Sequence, residues 1–510
     1  MSFSVRRLND RQRRSSVSAK AFFARILSVG QPVLRWWMRH LERKEEEKIE
    51  AHRMHLIKKI LVILAALALS FVLLMGVARG LVALKILSFR SIINVTGGTL
   101  PTDAYGHTNI LLLGSGDASH EGVDLTDSIM IAGIDATKTK SVALFSLPRD
   151  LYFLSTEKMG KGRINSLYRD YKYYLINRGA AKEEASREAL RELAKEIGKA
   201  LGIEIHETIK VDFIAFVQFI DALGGVDVVV PEDLTDPEYP GPNYTYQTFS
   251  IAAGPQHLDG ETALKYARSR HSTSDFDRSA RQQQLIKAIG DTVRSAGLLS
   301  RPNRLLSLLT IVQQHVEMSL DAGGVLSLAK AGLSVDTRNI ISMQLNSQNG
   351  LYGDNGSPGG LLYSPPRDQF EGASVLLPVS IPEFPVTWRQ VRLLVHFFLD
   401  ERTPYLARHS ISILNAGAKS GSARKLAAEL TRFGLIVDQT ENAGIEDIPS
   451  SIVDAQSADS TSGAFVAAIT GMDVRPLPAG IDPAKLGQIT IILGKDYVYH
   501  PLQDFASAKE

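Results

Sequence analysis

The chain contains no cysteine. That absence excludes disulfide bonds, catalysis by a thiol and metal sites built from thiolates. An exported domain is compatible with it, although the absence identifies no compartment. The 510 residues are enough for roughly two to four domains.

Positive charge is concentrated at the start of the chain. Residues 1–59 carry fifteen Lys or Arg and six acidic residues, about +9, which leaves about −7 for the remainder of a chain whose formal net charge is +2. The segment lacks a helix-turn-helix or zinc pattern, so attraction to anionic lipid explains its charge more simply than DNA binding does. We predict a basic tail over 1–59.

Charge is absent altogether from the nineteen residues 60–78. At about 1.5 Å per residue they span roughly 28 Å, close to the hydrocarbon thickness of a bilayer. A buried core helix is rarely apolar on all sides, and the preceding region is too long for a typical cleaved signal. We therefore predict an uncleaved, single transmembrane helix.

The charges on either side of this helix predict its orientation. The twenty residues before it hold six Lys or Arg, and the twenty after it hold three. The positive-inside bias then places the tail in the cytoplasm and everything after the helix outside. Residues 79–105 are predicted to be a connector.

Strand-like and helix-like segments alternate over 106–350. Short apolar segments flanked by polar residues predict strands, and segments rich in Ala, Leu and charged residues predict helices. The predicted strands are Asn109–Leu113, Ser128–Ile134, Ser141–Leu147 and Val226–Val230, and the predicted helices are Glu183–Leu201, Phe213–Leu223, Phe276–Ala296 and Asn303–Val316. This alternation predicts a layered α/β domain.

A second, smaller α/β domain is predicted at 409–497. The richness in Gly, Ser and Pro from Gly350 to Pro385 predicts a linker, assigned to 351–408, and 498–510 is a short tail. The elements of the small domain are predicted as strand, helix, strand, helix and strand at Ile411–Asn415, Ala423–Phe433, Leu435–Gln439, Gly463–Gly471 and Ile489–Leu493. No acid–base or metal constellation is evident in it, so we expect a binding or spacing role.

One short polar segment, RSRHSTSDFDRSARQQQ at 268–284, holds four arginines. Arginine makes bidentate contacts with phosphate oxygens and stays charged under ordinary conditions. The first two arginines are two residues apart and point to one side of an extended segment, whereas the last two and the first glutamine share a helix face. The candidate phosphate or pyrophosphate ligands are Arg268, Arg270, Arg278, Arg281 and Gln282.

The aspartates of this segment allow two interpretations. A helix that begins near Asp275 would add its N-terminal amides to an anion site. Alternatively, Asp275 and Asp277 neutralise the arginines on a solvated surface, as charged runs usually do.

Three further polar clusters lie at predicted strand ends, where α/β sheets tend to bind ligands. Asp117 follows the first strand, Asp127 precedes the second, and Arg149 follows the third. Two carboxylates beside a set of phosphates suit Mg²⁺, which prefers oxygen ligands. The alternative for each aspartate is an ordinary turn or capping role.

These motifs, in this order, resemble the LytR-CpsA-Psr family over about residues 107–297. The matching segments are LLLG at 111–114 ending in Asp117, TDSIMI at 126–131, SLPRD at 146–150, GRINSLY at 162–168, FIAFVQFIDALGGVDVVVP at 213–231, LDGETALKYARSRH at 258–271 and DFDRSARQQQ at 275–284. The C-terminal part resembles the LytR domain that often follows in that family, through ISILNAG at 411–417, SARKLAAELTRFG at 422–434 and ITIILGKDY at 489–497.

The resemblance implies a membrane-anchored α/β phosphotransferase with a central mixed sheet. Such enzymes move a phospho-glycopolymer from a polyprenyl (undecaprenyl) pyrophosphate carrier to peptidoglycan during cell-envelope assembly. By motif, Asp117 and Asp127 correspond to the Mg²⁺-associated carboxylates and Arg149 to an arginine beside the pyrophosphate. The other implied pyrophosphate ligands are Arg268, Arg270, Arg278, Arg281, Gln282 and an aspartate, Asp275 or Asp277.

An isoprenoid carrier also requires an apolar slot, which we predict along Val211–Leu223 and the inner face of the sheet. The alternative for that helix is ordinary core. Two positions depart from the family pattern: Val123-Asp124-Leu125 stands where an arginine is frequent, which removes one expected phosphate contact, and Arg163 replaces a frequent lysine.

Three other functions compete with transfer. The chain could bind lipid-linked glycans without transferring them, or hydrolyse the pyrophosphate with water as acceptor. The family name also suggests transcription regulation, which the predicted extracytoplasmic position of the chemistry-bearing residues disfavours.

Overall fold

The computed structural model describes residues 100–116, 122–241, 245–269, 275–295, 308, 311, 316–320, 322–345, 360–379, 386–445, 448–454, 460–500 and 502. These residues belong to one compact unit, Ser88–Glu510. The predicted tail and the predicted transmembrane helix at 60–78 lie outside the described ranges. Within those ranges, no helix combines the length and the apolar character that crossing a bilayer requires.

Strands and α-helices are interleaved along the chain as predicted, but several strands follow one another without a helix between them. The strands are β1 (Thr108–Ser115), β2 (Thr126–Asp135), β3 (Ser141–Leu147), β4 (Tyr152–Phe153), β5 (Gly162–Arg163), β6 (Glu207–Asp212), β7 (Val226–Val230), β8 (Leu234–Pro240), β9 (Tyr246–Ile251), β10 (Gly254–Leu258), β11 (Val316–Met318), β12 (Ile340–Gln344), β13 (Leu362–Tyr363), β14 (Leu377–Pro378), β15 (Ser410–Asn415), β16 (Ile436–Asn442), β17 (Ile452–Asp454), β18 (Asp473–Val474) and β19 (Ile489–Leu493). The α-helices are α1 (Ile164–Asn177), α2 (Lys182–Leu201), α3 (Phe213–Leu223), α4 (Gly260–Arg268), α5 (Asp275–Ser295), α6 (Ala322–Ser334), α7 (Arg389–Val395), α8 (Thr403–Ala407), α9 (Ser422–Arg432) and α10 (Ser460–Thr470).

A central mixed sheet organises the first domain, in the order β11-β6-β1-β2-β3-β12. Strand β1 pairs parallel to β6 and antiparallel to β2, and β3 pairs antiparallel to β2 and parallel to β12. The predicted α/β fold with a central mixed sheet is confirmed. Two antiparallel pairs, β7 with β10 and β8 with β9, were not predicted.

The two faces of this sheet have different neighbours because successive side chains along a strand point to opposite sides. Leu111, Leu113 and Ile131 belong to the main buried core, together with residues of α1 and α2. Leu112 and Met130, on the other face, line a large cavity. The cavity face carries the candidate site.

Helix α3 lies at that face and is bounded by clear local signals. Asp212 precedes it, and its side chain accepts a hydrogen bond from the backbone nitrogen of Ala215 at 2.7 Å, which satisfies a free donor of the first turn. The helix ends at Gly224, whose φ of 85° is the left-handed conformation that glycine tolerates best. The predicted bounds of this helix are confirmed.

The C-terminal domain is a five-stranded mixed sheet, ordered β16-β15-β19-β17-β18. Helices α9 and α10 have buried faces, and Leu426, Leu430 and Val466 belong to the same buried core as the first domain. The predicted order of strand, helix, strand, helix and strand is confirmed, with β17 and β18 in addition.

The linker prediction for 351–408 is wrong in its second half. Residues 389–407 form α7, a π-helical turn at His396–Asp400, and α8. The ring of Phe398 lies 6.1 Å from that of Phe145 on β3, and the ring of Phe397 lies 5.2 Å from that of Phe465 on α10. This helical segment therefore packs between the two domains, because its apolar side chains are shared by both cores.

The predicted helix Asn303–Val316 is wrong at its end, where Val316 begins β11 beside β6. Most of its remaining residues lie outside the described ranges. Short strands of this kind carry too few residues to show an alternating pattern.

Candidate active site

A cavity of about 750 Å³ lies against the central sheet and is bounded by α3, α4 and α5. Its apolar wall comes from the sheet and from these helices. Representative residues are Leu112, Met130, Ile209, Phe216, Leu285 and Ile289. Residues Val211, Phe213 and Phe219 also line it, so the predicted apolar slot along Val211–Leu223 is confirmed as a cavity wall.

One part of the cavity lining is polar, and we call it the polar wall. It comprises Asp127, Ser128, Arg149, Arg268, Arg278 and Gln282. Three guanidinium groups stand there against one carboxylate, and Asp212 also lines the cavity. The polar wall therefore offers an anion several charge-assisted hydrogen bonds.

Arg149 and Asp127 are neighbours in this wall. A guanidinium nitrogen of Arg149 lies 3.4 Å from a carboxylate oxygen of Asp127, and its Nε lies 3.8 Å from Asp150. The Arg149 side chain is 19% exposed and that of Asp127 is 47% exposed, so a ligand can reach both. Asp150 in turn pairs with Arg163 at 3.3 Å.

Helix α5 is tied to the start of β2. Arg278 donates to the backbone carbonyl of Asp127 at 3.3 Å. The hydroxyl of Ser128 donates to Oε1 of Gln282 at 2.7 Å. The predicted helix beginning near Asp275 is confirmed, and its one face brings Arg278 and Gln282 to the cavity.

Arg268 reaches the cavity in a different conformation from the predicted one. It is the last residue of α4 and not part of an extended segment. Its guanidinium lies 4.2 Å from the ring centroid of Phe213 and donates to the hydroxyl of Tyr239 at 3.3 Å. Stacking on aromatic rings fixes the planar group while leaving donors for a ligand.

Arg281 has main-chain partners and is not part of the cavity lining. Its Nε donates to the carbonyl of Tyr266 at 3.0 Å, and a terminal nitrogen donates to the carbonyl of Ser269. Burial lowers the pKa of Arg281. In this structure the hydrogen bonds of Arg281 therefore connect α5 to the C-terminal end of α4.

The remaining predicted residues are placed as follows. Asp275 begins α5, and Asp277 is exposed on its first turn and is not among the cavity-lining residues. Asp117 and Arg270 lie outside the described residues.

Asn165 was not singled out from the sequence, although it stands within the GRINSLY motif. Its amide donates to Asp127 at 2.9 Å, and the residue is 4% exposed. The amide oxygen of Asn165 is buried and has no hydrogen-bond partner among the described residues. A neighbouring ligand with positive charge would satisfy that oxygen.

Asp124, which departs from the family pattern, belongs to a buried ion-pair network near this site. Its carboxylate bonds to Lys172 and to Lys210, each at 2.9 Å. Lys210 also bonds to Glu317 at 2.8 Å, and the hydroxyl of Tyr168 donates to the same carboxylate. Burial alone would raise the pKa of Asp124, but the charge of Lys210 and the hydrogen bonds from both lysines hold that pKa below its ordinary value. Asp124 therefore links the loop that precedes Asp127 to Lys172 and Lys210.

Comparison with protein-family models shows which family the chain belongs to. The sequence model of the LytR_cpsA_psr family matches residues 91–365, more than half of the chain. The chain belongs to the LytR_cpsA_psr family. The resemblance inferred from the motifs is confirmed. A second family model, described as LytR cell envelope-related transcriptional attenuator, matches residues 408–497 of this LytR_cpsA_psr protein.

Two curated relatives of this LytR_cpsA_psr protein have names that describe a role in cell-wall synthesis or modification. The cell wall biosynthesis protein LcpA of Corynebacterium glutamicum is 26% identical over 383 residues, which cover 68% of this chain and 66% of LcpA. The polyisoprenyl-teichoic acid–peptidoglycan teichoic acid transferase TagU of Bacillus mycoides is 29% identical over 224 residues, which cover 44% of this chain and 63% of TagU. The chain thus spans slightly less than two thirds of the length of these relatives.

Among solved structures, that of TagV from B. subtilis is 22% identical to this LytR_cpsA_psr protein, with a TM-score of 0.41. The match covers 58% of this chain and 99% of the TagV chain.

Proposed function

We propose that this protein transfers a phospho-glycopolymer from a polyprenyl (undecaprenyl) pyrophosphate carrier to peptidoglycan. The observation that carries the proposal is one cavity with two kinds of wall, an apolar one for an isoprenoid and an arginine-lined one for a pyrophosphate. Its volume of about 750 Å³ lies within the range usual for ligand pockets. Membership of the family and the names of LcpA and TagU support the same activity.

In the proposed reaction, a peptidoglycan hydroxyl attacks the phosphorus that bears the glycan. A new oxygen–phosphorus bond forms, the bond to the bridging oxygen breaks, polyprenyl phosphate leaves, and the hydroxyl proton passes to solvent. Arg149, Arg268 and Arg278 hold the pyrophosphate oxygens and stabilise the charge that develops on them. Phosphoryl transfer depends on such positioning and neutralisation more than on covalent catalysis.

Mg²⁺ is the proposed cofactor, held by Asp127 and Asp117. The described residues fit it in part, because Asp127 presents an accessible carboxylate and the amide oxygen of Asn165 beside it has no partner. Both are hard oxygen ligands of the kind that Mg²⁺ prefers. When bound, the cation would neutralise phosphate charge that the arginines leave uncompensated.

The other residues of the arginine segment have supporting roles in this proposal. Gln282 lines the polar wall, whereas Arg281 positions α5 through its bonds to main-chain carbonyls. Arg270 and one aspartate, Asp275 or Asp277, remain predicted pyrophosphate-site residues.

We place the enzyme in the cell membrane, with one transmembrane helix at 60–78, a cytoplasmic N-terminus and the catalytic domain outside. The charge-free stretch, the basic residues before it and a lipid-linked substrate support this topology.

Product analysis with the purified full chain tests the proposed function. A polyprenyl-pyrophosphate-linked glycan is incubated with peptidoglycan and Mg²⁺, and both products are measured. We expect glycan joined to peptidoglycan through a phosphodiester, with an equal amount of released polyprenyl phosphate. Binding without release would identify a receptor, and release of free phosphoglycan without attachment would identify a hydrolase; either result would overturn the transferase proposal.

A further inference from the structure

A histidine and two carboxylates lie close together outside the polar wall. One potential ligand atom each from Asp103, His107 and Asp400 lies within 4.8 Å of the other two. Asp103 and His107 precede β1, and Asp400 ends the π-helical turn between the two domains. The cluster therefore joins the start of the catalytic domain to the segment that leads to the C-terminal domain.

His107 has unused hydrogen-bonding capacity in this cluster. The residue is 4% exposed, and its Nδ1 is buried without a hydrogen-bond partner among the described residues. A buried polar atom without a partner is costly, because it has lost its water.

The positive charge of the buried Arg402 acts on both carboxylates, but from beyond ion-pair distance. Asp103 accepts hydrogen bonds from the backbone nitrogens of Tyr105 and His107 at 2.9 Å and from the amide of Asn109 at 3.0 Å. Asp400 bonds to the ring of His396 at 2.8 Å. Neither carboxylate has a Lys or Arg nitrogen within ion-pair distance among the described residues. The nearby Arg402 donates to the carbonyls of Leu399 and Gly133.

A second carboxylate cluster, Glu157, Glu192 and Glu196, provides the contrast. It has the same tight spacing, but Lys158 lies 3.0 Å from Glu192 and Lys195 lies 2.9 Å from Glu157. Lysine charges already compensate this second cluster. It lacks a histidine and serves as an internal control.

We propose that Asp103, His107 and Asp400 form a structural site for a divalent transition-metal ion such as Zn²⁺. Imidazole nitrogen and carboxylate oxygen are both ligands of Zn²⁺, and a water molecule would complete a tetrahedron around these three. Bonds of about 2.0–2.2 Å place tetrahedral ligands roughly 3.4 Å apart, which small side-chain adjustments achieve here. His396, hydrogen-bonded to Asp400, would orient that ligand from behind.

The bound ion would hold the start of β1 against the inter-domain helical segment. Its binding free energy would add to the stability of the folded chain, because Asp400 is far along the chain from the other two ligands and meets them only on folding. This site is independent of the proposed transfer reaction and of its Mg²⁺.

Zinc binding by the purified full chain, free of a histidine tag and stripped with EDTA, tests the site. Bound Zn²⁺ is measured by equilibrium dialysis and elemental analysis. The midpoint of thermal unfolding is measured with and without Zn²⁺. We expect the wild-type chain to bind one Zn²⁺ that His107→Ala and Asp400→Asn each fail to bind. At zinc concentrations about 100-fold above the dissociation constant, the midpoint should rise by roughly 5 °C in the wild type and not in these variants.

Two control variants should keep both the bound zinc and the midpoint shift: Glu157→Gln in the lysine-compensated cluster, and Asp127→Asn in the proposed Mg²⁺ site. The midpoint of each variant in EDTA confirms that it is folded before zinc is added. A wild-type chain that binds no Zn²⁺ at micromolar concentrations would overturn the proposal, as would full binding by folded His107→Ala and Asp400→Asn.

Discussion

At the scale of single residues, Asp124 links the loop before the polar wall to the buried lysines of α1 and β6. Asp124→Asn removes the charge but keeps the shape, so Lys172 and Lys210 retain only the partly exposed Glu317 as a counter-charge. We expect a loss of about 3–5 kcal/mol in the free energy of unfolding, typical when one partner of a buried ion pair is removed. Denaturant titration measures it.

Asp170→Asn is the matched control, because it breaks an ion pair with Arg169 whose side chains are 33% and 53% exposed. That change should cost less than about 1 kcal/mol. Equal losses for the two variants would show that the network around Asp124 is not strongly stabilising.

Glu317 makes the stability of the fold depend on acid pH. The charge and hydrogen bond of Lys210 overcome the opposing effect of burial and lower the pKa of Glu317 from 4.5 to about 2. Because the folded-state pKa is the lower one, the contribution of this carboxylate is complete above about pH 4.5 and is lost as the pH falls toward 2.

Urea midpoints measured between pH 2 and pH 6 test this dependence. Glu317→Gln should flatten the acid limb of the profile relative to wild type, whereas Glu261→Gln, at an exposed surface pair with Lys265, should leave it unchanged. Superimposable profiles for Glu317→Gln and wild type would refute the assignment.

The sequence was enough to predict which residues lie near the site, but not which contacts each of them makes there. Motif and strand-end position were enough to bring Asp127, Arg149 and Arg278 together. The bonds of Arg281 to main-chain carbonyls and the lysine partners of Asp124 depend on contacts between segments distant in sequence. No local pattern encodes such contacts, so those roles appear only in the folded chain.

At the scale of elements, the cavity is formed by one sheet face and the helices that cover it. Leu112 lies at mid-length of β1 and points into this cavity. Leu112→Trp would fill part of the space with an indole ring. We expect the KM for a long-chain polyprenyl substrate to rise at least about tenfold, and that for a short-chain analogue to rise less, because only the long chain needs the occupied volume.

Transfer kinetics with the two carriers measure this effect. Leu154→Trp is the control, since Leu154 is 53% exposed and does not line the cavity. An unchanged KM for the long-chain carrier in a folded Leu112→Trp variant would show that the isoprenoid lies elsewhere.

Elements with strong local signals were predictable, and short ones were not. Helix α3 has a capping aspartate and a terminal glycine, and its predicted bounds match the structure. The β8–β9 hairpin has a register shift between Asp236 and Tyr239 and contains proline, which weakens the alternation by which strands are recognised.

At the scale of the whole molecule, the two domains share one buried core. Phe397 contacts Phe433 at 5.7 Å and Phe465 at 5.2 Å between ring centroids, and both partners belong to the C-terminal domain. Removing residues 409–510 would expose this apolar surface. We therefore expect the shortened chain to melt at a clearly lower temperature than the full chain, or to aggregate, in calorimetry.

Single substitutions in the full chain distinguish the effect of lost packing at the domain boundary from the effect of shortening the chain. Phe397→Ala should cost about 3–5 kcal/mol, and Tyr173→Ala, at a 45% exposed site, should cost little. A shortened chain with the same thermal midpoint as the full chain would contradict the shared core.

The linker prediction for 351–408 failed in its second half because it rested on the Gly, Ser and Pro content from Gly350 to Pro385. That composition does not extend to residues 389–407, whose apolar side chains are buried between the domains.

The rate of transfer by Arg149→Ala tests the central claim most directly. The purified full chain and the variant are given lipid-linked glycan, peptidoglycan and Mg²⁺, and the release of polyprenyl phosphate is timed. Arg169→Ala, at a surface arginine on α1, is the control. We predict that Arg149→Ala lowers the rate by about 10²–10³, as expected when a group that stabilises transition-state charge is lost, while Arg169→Ala transfers at the wild-type rate. A folded Arg149→Ala variant that transfers as fast as the wild type would contradict the account.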